Sequence, residues 1–140
     1  MVYIFLDHTA DIGVEVQASS FKDAFIEAIF ALLEIIFGKS FKDFDCNANS
    51  EIMEISSFDR ESLLVDTLNE ILYLIDTKKI IPLKPEIFEL SINEVKLKYK
   101  PFQFDFKNYP IHLYVKAVTF HQLEINENEN QVKIKFFVDI

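Results

Sequence analysis

The chain has 140 residues, half of them hydrophobic, which is enough for one domain with a sizeable core. Its 23 acidic and 14 basic residues give a formal net charge of -9, which argues against direct nucleic-acid binding, because phosphate contacts need clustered Lys and Arg. The sequence shows no signal peptide and no apolar run long enough for a membrane span, and its single Cys46 cannot form an internal disulfide, so we expect a cytoplasmic protein.

The first predicted elements are two strands around a polar turn. Residues 2–6 are all apolar, as in a strand that is covered on both faces. Val14, Val16 and Ala18 alternate with polar residues, which is typical of a half-buried strand. The segment between these strands, DHTADIG at 7–13, is the predicted turn.

Two helices are predicted next. Ser20 should cap the first helix, and Gly38 should end it in a left-handed conformation. A polar loop at 39–50 and a short strand, EIMEIS, lead to Asp59, the predicted cap of the second helix. That helix is expected to end near Thr77.

The second half of the chain predicts mostly strands. Residues 88–92 and 95–99 alternate apolar and polar around a hairpin turn, and 100–110 predicts a loop or bulged edge. Two long antiparallel strands, 112–125 and 131–140, complete the pattern.

These elements predict an α+β fold, in which a mostly antiparallel sheet packs with two main helices. We expect one domain over residues 1–140. A small subdomain over 79–110 is the alternative that the sequence leaves open.

The DHTADIG segment places groups that titrate or bind metals at the end of an apolar strand. Asp7, His8 and Asp11 are candidate ligands. In the alternative hypothesis Asp7 and Thr9 close the turn through side-chain to backbone hydrogen bonds, and Gly13 supplies an unusual backbone angle. Taken alone, the segment favours the structural hypothesis.

The last residues, KIKFFVDI, offer a second acidic group. Strand phase places Asp139 on the face that carries Lys135 and Phe137. A penultimate aspartate is most often a solvated residue on a frayed terminus. Here, however, the α-carboxylate of Ile140 adds a second anionic group, and Asp11 is the kind of third ligand that completes a hard-cation site.

Lys116 is a lone cation in the otherwise apolar segment HLYVKAVTF. A buried, unpaired ammonium group is costly. Its side chain therefore either reaches solvent at an edge, which is the commoner outcome, or pairs with a carboxylate.

Four strings together resemble the archease family of small acidic proteins. They are HTADIG at 8–13, LLVDTLNEILY at 63–73, KAVTFH at 116–121 and the terminal FFVDI. They occur in the family's order, from the first strand to the last residue.

The resemblance implies a divalent-metal site formed by Asp11, Asp139 and Ile140. It also implies roles for Lys116 and His8 in activating a partner. Oxygen ligands favour Ca²⁺, Mg²⁺ or Mn²⁺, whereas a contribution from His8 moves the preference toward Mn²⁺ or Zn²⁺.

The partner implied by the resemblance is an RtcB-type 3′-phosphate RNA ligase. The family is not itself known as an enzyme; it promotes guanylylation and multiple turnover of the ligase, which joins RNA ends such as split tRNA exons. Contact with tRNA is then expected only through the ligase, and no membrane partner is expected.

Two alternatives come from other classes of protein. One is a stand-alone metal-dependent phosphoester hydrolase, in which His8 or His121 acts as general base beside Asp11 and Asp139. The other is a chaperone-like interaction module that holds its partners through apolar surface.

Overall fold

The computed structural model describes residues 2–7 and 11–140. They form seven strands and two helices, and a wider helical turn, Leu74–Lys78, extends the second helix. The strands and helices, in chain order, are β1 (Val2–Asp7), β2 (Asp11–Ala18), α1 (Phe21–Phe37), β3 (Glu51–Ser56), α2 (Arg60–Tyr73), β4 (Ile80–Leu90), β5 (Glu94–Gln103), β6 (Ala117–Glu127) and β7 (Val132–Asp139).

The strands form two antiparallel sheets. The first sheet has the order β1-β2-β7-β6, and the second has the order β3-β5-β4. Helix α1 contacts β2 and β7 of the first sheet and β4 of the second, while α2 contacts β6 and β3. The α+β prediction is confirmed, with the strands divided between two sheets.

The three predicted helix-capping residues, Ser20, Gly38 and Asp59, are confirmed. The Ser20 hydroxyl accepts a hydrogen bond from the Asp23 backbone N–H at 3.1 Å, and Gly38 ends α1 with a φ of 74°. Asp59 accepts from the Ser62 backbone N–H at 2.7 Å and begins α2. In the part of the chain that the structure describes, no helix is both long enough and apolar enough to cross a bilayer.

The expectation that the first strand is covered on both faces is wrong. Strand β1 lies at the edge of the first sheet, and its Val2 and Ile4 side chains are exposed. Tyr3 and Leu6 are partly covered and Phe5 is 42% exposed, so neither face of this edge strand is fully buried.

Several boundaries also differ from the sequence prediction. Strand β5 continues through Pro101 to Gln103, and the last long hairpin begins at Ala117 rather than at His112. In β4, Ile87 is buried and Phe88 is exposed, the reverse of the predicted phase. The β4–β5 register shifts between Leu83 and Glu86 and again between Ile87 and Glu89, so Phe88 lies within the second irregularity.

Candidate metal centre

Strand pairing brings Asp11 and Asp139 together. They are directly opposite each other in the antiparallel β2–β7 pair, at the end of the first sheet. Side chains in such positions have Cβ atoms about 5 Å apart, and two opposed carboxylates repel each other. A divalent cation held between them converts that repulsion into attraction.

Strand β2 begins at Asp11, so the predicted turn ends earlier than expected. Gly13 lies within β2, and its φ is not positive. The hypothesis that Gly13 supplies an unusual backbone angle is therefore wrong. His8 and Thr9 lie outside the described residues, as do the contacts predicted for them.

Lys116 lies at the same end of the sheet. Its backbone N–H donates a hydrogen bond to the Asp139 carbonyl at 2.8 Å, and the next residue, Ala117, pairs with Asp139 across the β6–β7 ladder. Its side chain is exposed. The main chain of Lys116 is thus fixed against the acidic pair while its ammonium group remains accessible to a partner.

Ile140 follows Asp139 directly, and its side chain is half-buried against the hydrophobic core. This packing fixes the main chain one residue beyond Asp139, so the end of β7 is held in place. Asp139 itself is exposed. The exposure of Asp139 agrees with the predicted solvated residue, whereas the packing of Ile140 against the core differs from a frayed terminus.

Gly13 is required by a close approach of Phe137. The two residues are paired in the β2–β7 ladder, next to the acidic pair, and Phe137 is fully buried. A Cβ atom on Gly13 would lie 2.7 Å from Phe137 Cε2 and 2.9 Å from Leu6 Cβ. The glycine therefore leaves room for an aromatic ring on the face of the sheet that is turned away from the helices, hereafter the outer face.

Gly13→Ala is expected to destabilise the protein by about 1–3 kcal/mol, because the added methyl group overpacks the contact with Phe137. Urea unfolding of the variant and the parent protein measures the change in the free energy of unfolding. Ser19→Ala, at an exposed position just after β2, is the control and should change stability little. Equal stability of Gly13→Ala and the parent would show that the ring moves aside freely.

The ring of Phe137 is covered by an irregular part of β6. Pairing of β6 with β7 shifts between Thr119 and Glu124, and Gln122 adopts a φ of 52°. This bulge places the His121 ring against the Phe137 ring, with 5.9 Å between their centroids in an edge-to-face contact. The role of His121 as a general base stays a prediction.

Two lysines of β7, Lys133 and Lys135, make contacts on the outer face. Lys133 lies 2.8 Å from Glu15, and its hydrogen bond holds the pKa of the Glu15 carboxyl below its usual range. Lys135 Nζ lies 5.7 Å from the centroid of the Phe137 ring. Lys133 thus pairs with a carboxylate of the outer face, and Lys135 lies near an aromatic ring of that face.

Asn69 has a structural role that the sequence did not predict. From α2, its side-chain amide donates to the Val118 carbonyl at 3.0 Å and accepts from the Val118 N–H at 2.9 Å. It thereby pairs with the free edge of β6, two residues after Lys116. The resembling string LLVDTLNEILY contains this asparagine, but its partner becomes visible only in the fold.

Asn69→Ala is expected to cost about 2 kcal/mol of stability, because it leaves both backbone groups of Val118 without their partners. Amide hydrogen exchange should rise at the start of β6 more than in β2. Asn126→Ala, an exposed asparagine of the same strand, is the matched control. Unchanged exchange at Val118 in Asn69→Ala would contradict the proposed role of this contact.

The donor set fits a hard cation. The predicted set, which is two aspartate side chains and a main-chain carboxylate at Ile140, would supply only oxygen atoms, and these suit Ca²⁺, Mg²⁺ or Mn²⁺. Among the described residues, no group of three or more His, Cys, Asp or Glu side chains could hold a metal ion. The predicted set contains only two such side chains, Asp11 and Asp139, and the metal site stays a prediction.

The fold and this site define a small α+β protein with two antiparallel sheets and an acidic pair at the end of the first sheet. The model of the archease protein family (MTH1598/TM1083) matches residues 3–140. The chain therefore belongs to the archease family.

Individual relatives agree with this assignment. The chain is 34% identical to protein archease of Methanosarcina barkeri, over 99% of this chain and 95% of that protein. It is 31% identical to protein archease of Sulfolobus acidocaldarius, over 97% of this chain and 96% of the relative.

Two solved structures have a similar fold. The solution structure of Methanobacterium thermoautotrophicum protein 1598 matches with a TM-score of 0.77 and 28% identity, covering 99% of this chain and 98% of the other. The crystal structure of a Thermotoga maritima archease, described as a possible chaperone, matches with a TM-score of 0.63 and 22% identity, covering 96% and 94%. The latter likeness shows the fold alone.

Proposed function

We propose that this protein activates an RtcB-type RNA ligase, promoting its guanylylation and multiple turnover in tRNA splicing or RNA repair. It acts as a protein cofactor and not as an enzyme. The observation that carries the proposal is the direct opposition of Asp11 and Asp139, with Lys116 bonded through its backbone to Asp139. Membership of the archease family supports it.

The proposed site holds a divalent cation through Asp11, Asp139 and the α-carboxylate of Ile140. The cation supplies positive charge that the ligase can use in positioning phosphate groups. Lys116 contributes an accessible ammonium group beside it. In the proposed complex both positive charges face the nucleotide site of the ligase, where they favour the geometry for guanylylation.

The remaining surface favours a basic protein partner. A net charge of -9 attracts the RNA-facing cleft of a ligase, which must itself be basic in order to bind phosphates. Contact with tRNA is therefore indirect, and the complex is expected in the cytoplasm. Such docking should weaken as salt concentration rises.

A multiple-turnover ligation assay with the ligase from the same source tests the proposal. The parent protein should increase the number of turnovers and the rate of ligase guanylylation, and Lys116→Ala should lose most of that stimulation. Lys22→Ala, which removes an exposed lysine of α1, is the matched control. Full stimulation by Lys116→Ala, or none by the parent protein, would reject the proposal.

A chaperone-like activity is a second candidate, favoured by exposed apolar side chains near the second sheet. Phe58 is 96% exposed and Ile92 is 69% exposed, and a backbone hydrogen bond of 2.8 Å joins Ser57 to Asn93 beside them. Light scattering of an unrelated aggregating client measures this activity. Protection that persists with a chelator and is lost in Phe58→Ser would favour it over ligase activation.

A further inference from the structure

A pocket of about 270 Å³ lies on the helix side of the first sheet, at the carboxyl end of α1. Its described lining comes from β1, β2, α1 and the segment that precedes β6. The walls are largely apolar and include Phe5, Glu34, Ile35, Gly38, His112 and Leu113.

Glu34 gives the pocket a negative charge. One of its carboxylate oxygens accepts a hydrogen bond from the Tyr3 hydroxyl at 2.6 Å. Glu34 forms no ion pair with any described Lys or Arg: the nearby Lys42 pairs at 2.7 Å with Glu27, and Lys39 lies over aromatic rings, 4.5 Å from the centroid of Tyr109. Lys42 Nζ also lies 5.0 Å from the centroid of the Tyr3 ring, but its ion pair is with Glu27, which leaves Glu34 without an ion-pair partner among the described residues.

The end of helix α1 adds negative potential to the pocket, and the pKa of the Tyr3 hydroxyl responds to nearby carboxylates. Helix α1 ends at Gly38 with no basic residue in its last turn, so the negative end of the helix dipole lies at the pocket. Burial raises the pKa of the Tyr3 hydroxyl, and the carboxylates of Glu34 and Glu27 raise it further. Burial is the largest cause of this rise in the Tyr3 pKa, and the two carboxylates act in the same direction.

The apolar part of the pocket favours a planar cation. Phe5 is 42% exposed at the rim, and the His112 ring packs over Gly38 on the opposite side. A guanidinium group is weakly hydrated and stacks on rings, and its aliphatic stem suits an apolar wall, whereas an ammonium group keeps its water more strongly.

We infer that this pocket receives an arginine side chain of the protein partner, with its guanidinium group on Glu34 and its stem along Phe5. This inference rests on the proposed function, since the arginine belongs to the ligase. It adds a docking contact on the helix side of the sheet, separate from the acidic pair on the outer face.

The chemistry of the pocket can be tested without the ligase, by titrating the isotope-labelled protein with N-acetylarginine amide and following backbone amide signals. We expect saturable shifts at Ile35, Gly38 and Leu113, and binding about tenfold weaker in Glu34→Gln. Glutamine still accepts the Tyr3 hydrogen bond, so this variant removes the charge and keeps the contact. Glu54→Gln, at an exposed position of β3, is the control for net charge.

Uncharged N-acetylcitrulline amide and N-acetylleucine amide should not produce these shifts. Nα-acetyllysine amide, which keeps its ammonium group, should bind more weakly than the arginine probe. Equal binding of the citrulline or leucine probe, or of the arginine probe to Glu34→Gln, would overturn the inference. Tyr3→Phe should retain arginine binding, because it leaves the Glu34 charge in place.

With the ligase, Glu34→Gln should raise the half-saturating protein concentration about tenfold and leave the maximal stimulation unchanged. An unchanged half-saturating concentration would also overturn the inference. Failure of the parent protein to stimulate the ligase rejects the proposed function instead, and the arginine titration then still decides whether the pocket is selective for a guanidinium group.

Discussion

Asp11→Asn is expected to abolish measurable activation of the ligase and to weaken divalent-cation binding by more than about 100-fold. Loss of a residue that only supports a metal ligand already costs about 10- to 100-fold in affinity. Asparagine keeps the size of the side chain and removes one of the two opposed charges. Calorimetric titration with MnCl₂ and a ligase guanylylation assay measure the two effects on the same preparation.

The matched control is Asp43→Asn, which makes the same change in charge at an exposed loop position. It should bind cation and activate the ligase like the parent protein. If Asp11→Asn bound Mn²⁺ as tightly as the parent protein, Asp11 would not be a ligand. If it lost binding and kept full activation, the metal site and the activation of the ligase would be unrelated.

Phe137→Ala is expected to destabilise the protein by about 3–5 kcal/mol, because it removes a fully buried ring and leaves a cavity over Gly13. The loss should appear as a lower urea midpoint with an unchanged slope. Phe120→Ala removes a ring of the same size that is 56% exposed, and it should cost far less. A similar loss for both variants would show that the buried Phe137 ring contributes no more to the free energy of unfolding than the exposed Phe120 ring.

Phe137 also supports the acidic pair. The Phe137–Gly13 and Asp139–Asp11 pairs are neighbours along β2 and β7, so the ring fixes the strands where the carboxylates meet. Phe137→Leu should retain most of the packing and fold readily. We expect it to weaken Mn²⁺ binding measurably, whereas Phe120→Ala should leave binding unchanged.

The helices could be predicted from sequence because local chemistry determines their ends. Ser20 and Asp59 carry the side-chain oxygens that cap helices, and Gly38 tolerates the left-handed conformation that ends one. The phase of β7 was also predictable, since Ile134 and Phe136 are buried in the core and alternate with lysines.

The errors came from features that depend on distant parts of the chain. The apolar character of β1 gave no sign that this strand lies at a sheet edge, because edge position depends on which strands pair. The exposure of Phe88 follows from irregular pairing with β5, and the late start of β6 leaves 112–116 outside the ladder. The role of Gly13 required the location of Phe137, which is 124 positions away in sequence.

The candidate site was only partly accessible from sequence. Strand phase and the archease resemblance pointed to Asp11, Asp139 and Lys116, and the structure brings these three residues to one end of the first sheet. Asn69 was missed, because an asparagine on a predicted helix gives no sign that it will pair with a strand edge. Its position on α2 contributes to the placement of Lys116.

We propose that the ends of β2 and β7 form a cation site, a claim that crystals grown with MnCl₂ can test. An anomalous difference map should show one strong peak within bonding distance of the carboxylates of Asp11, Asp139 and Ile140. Residues appended after Ile140 should remove the terminal ligand and weaken or abolish the peak. Absence of a peak between Asp11 and Asp139 in crystals of the parent protein would contradict the claim.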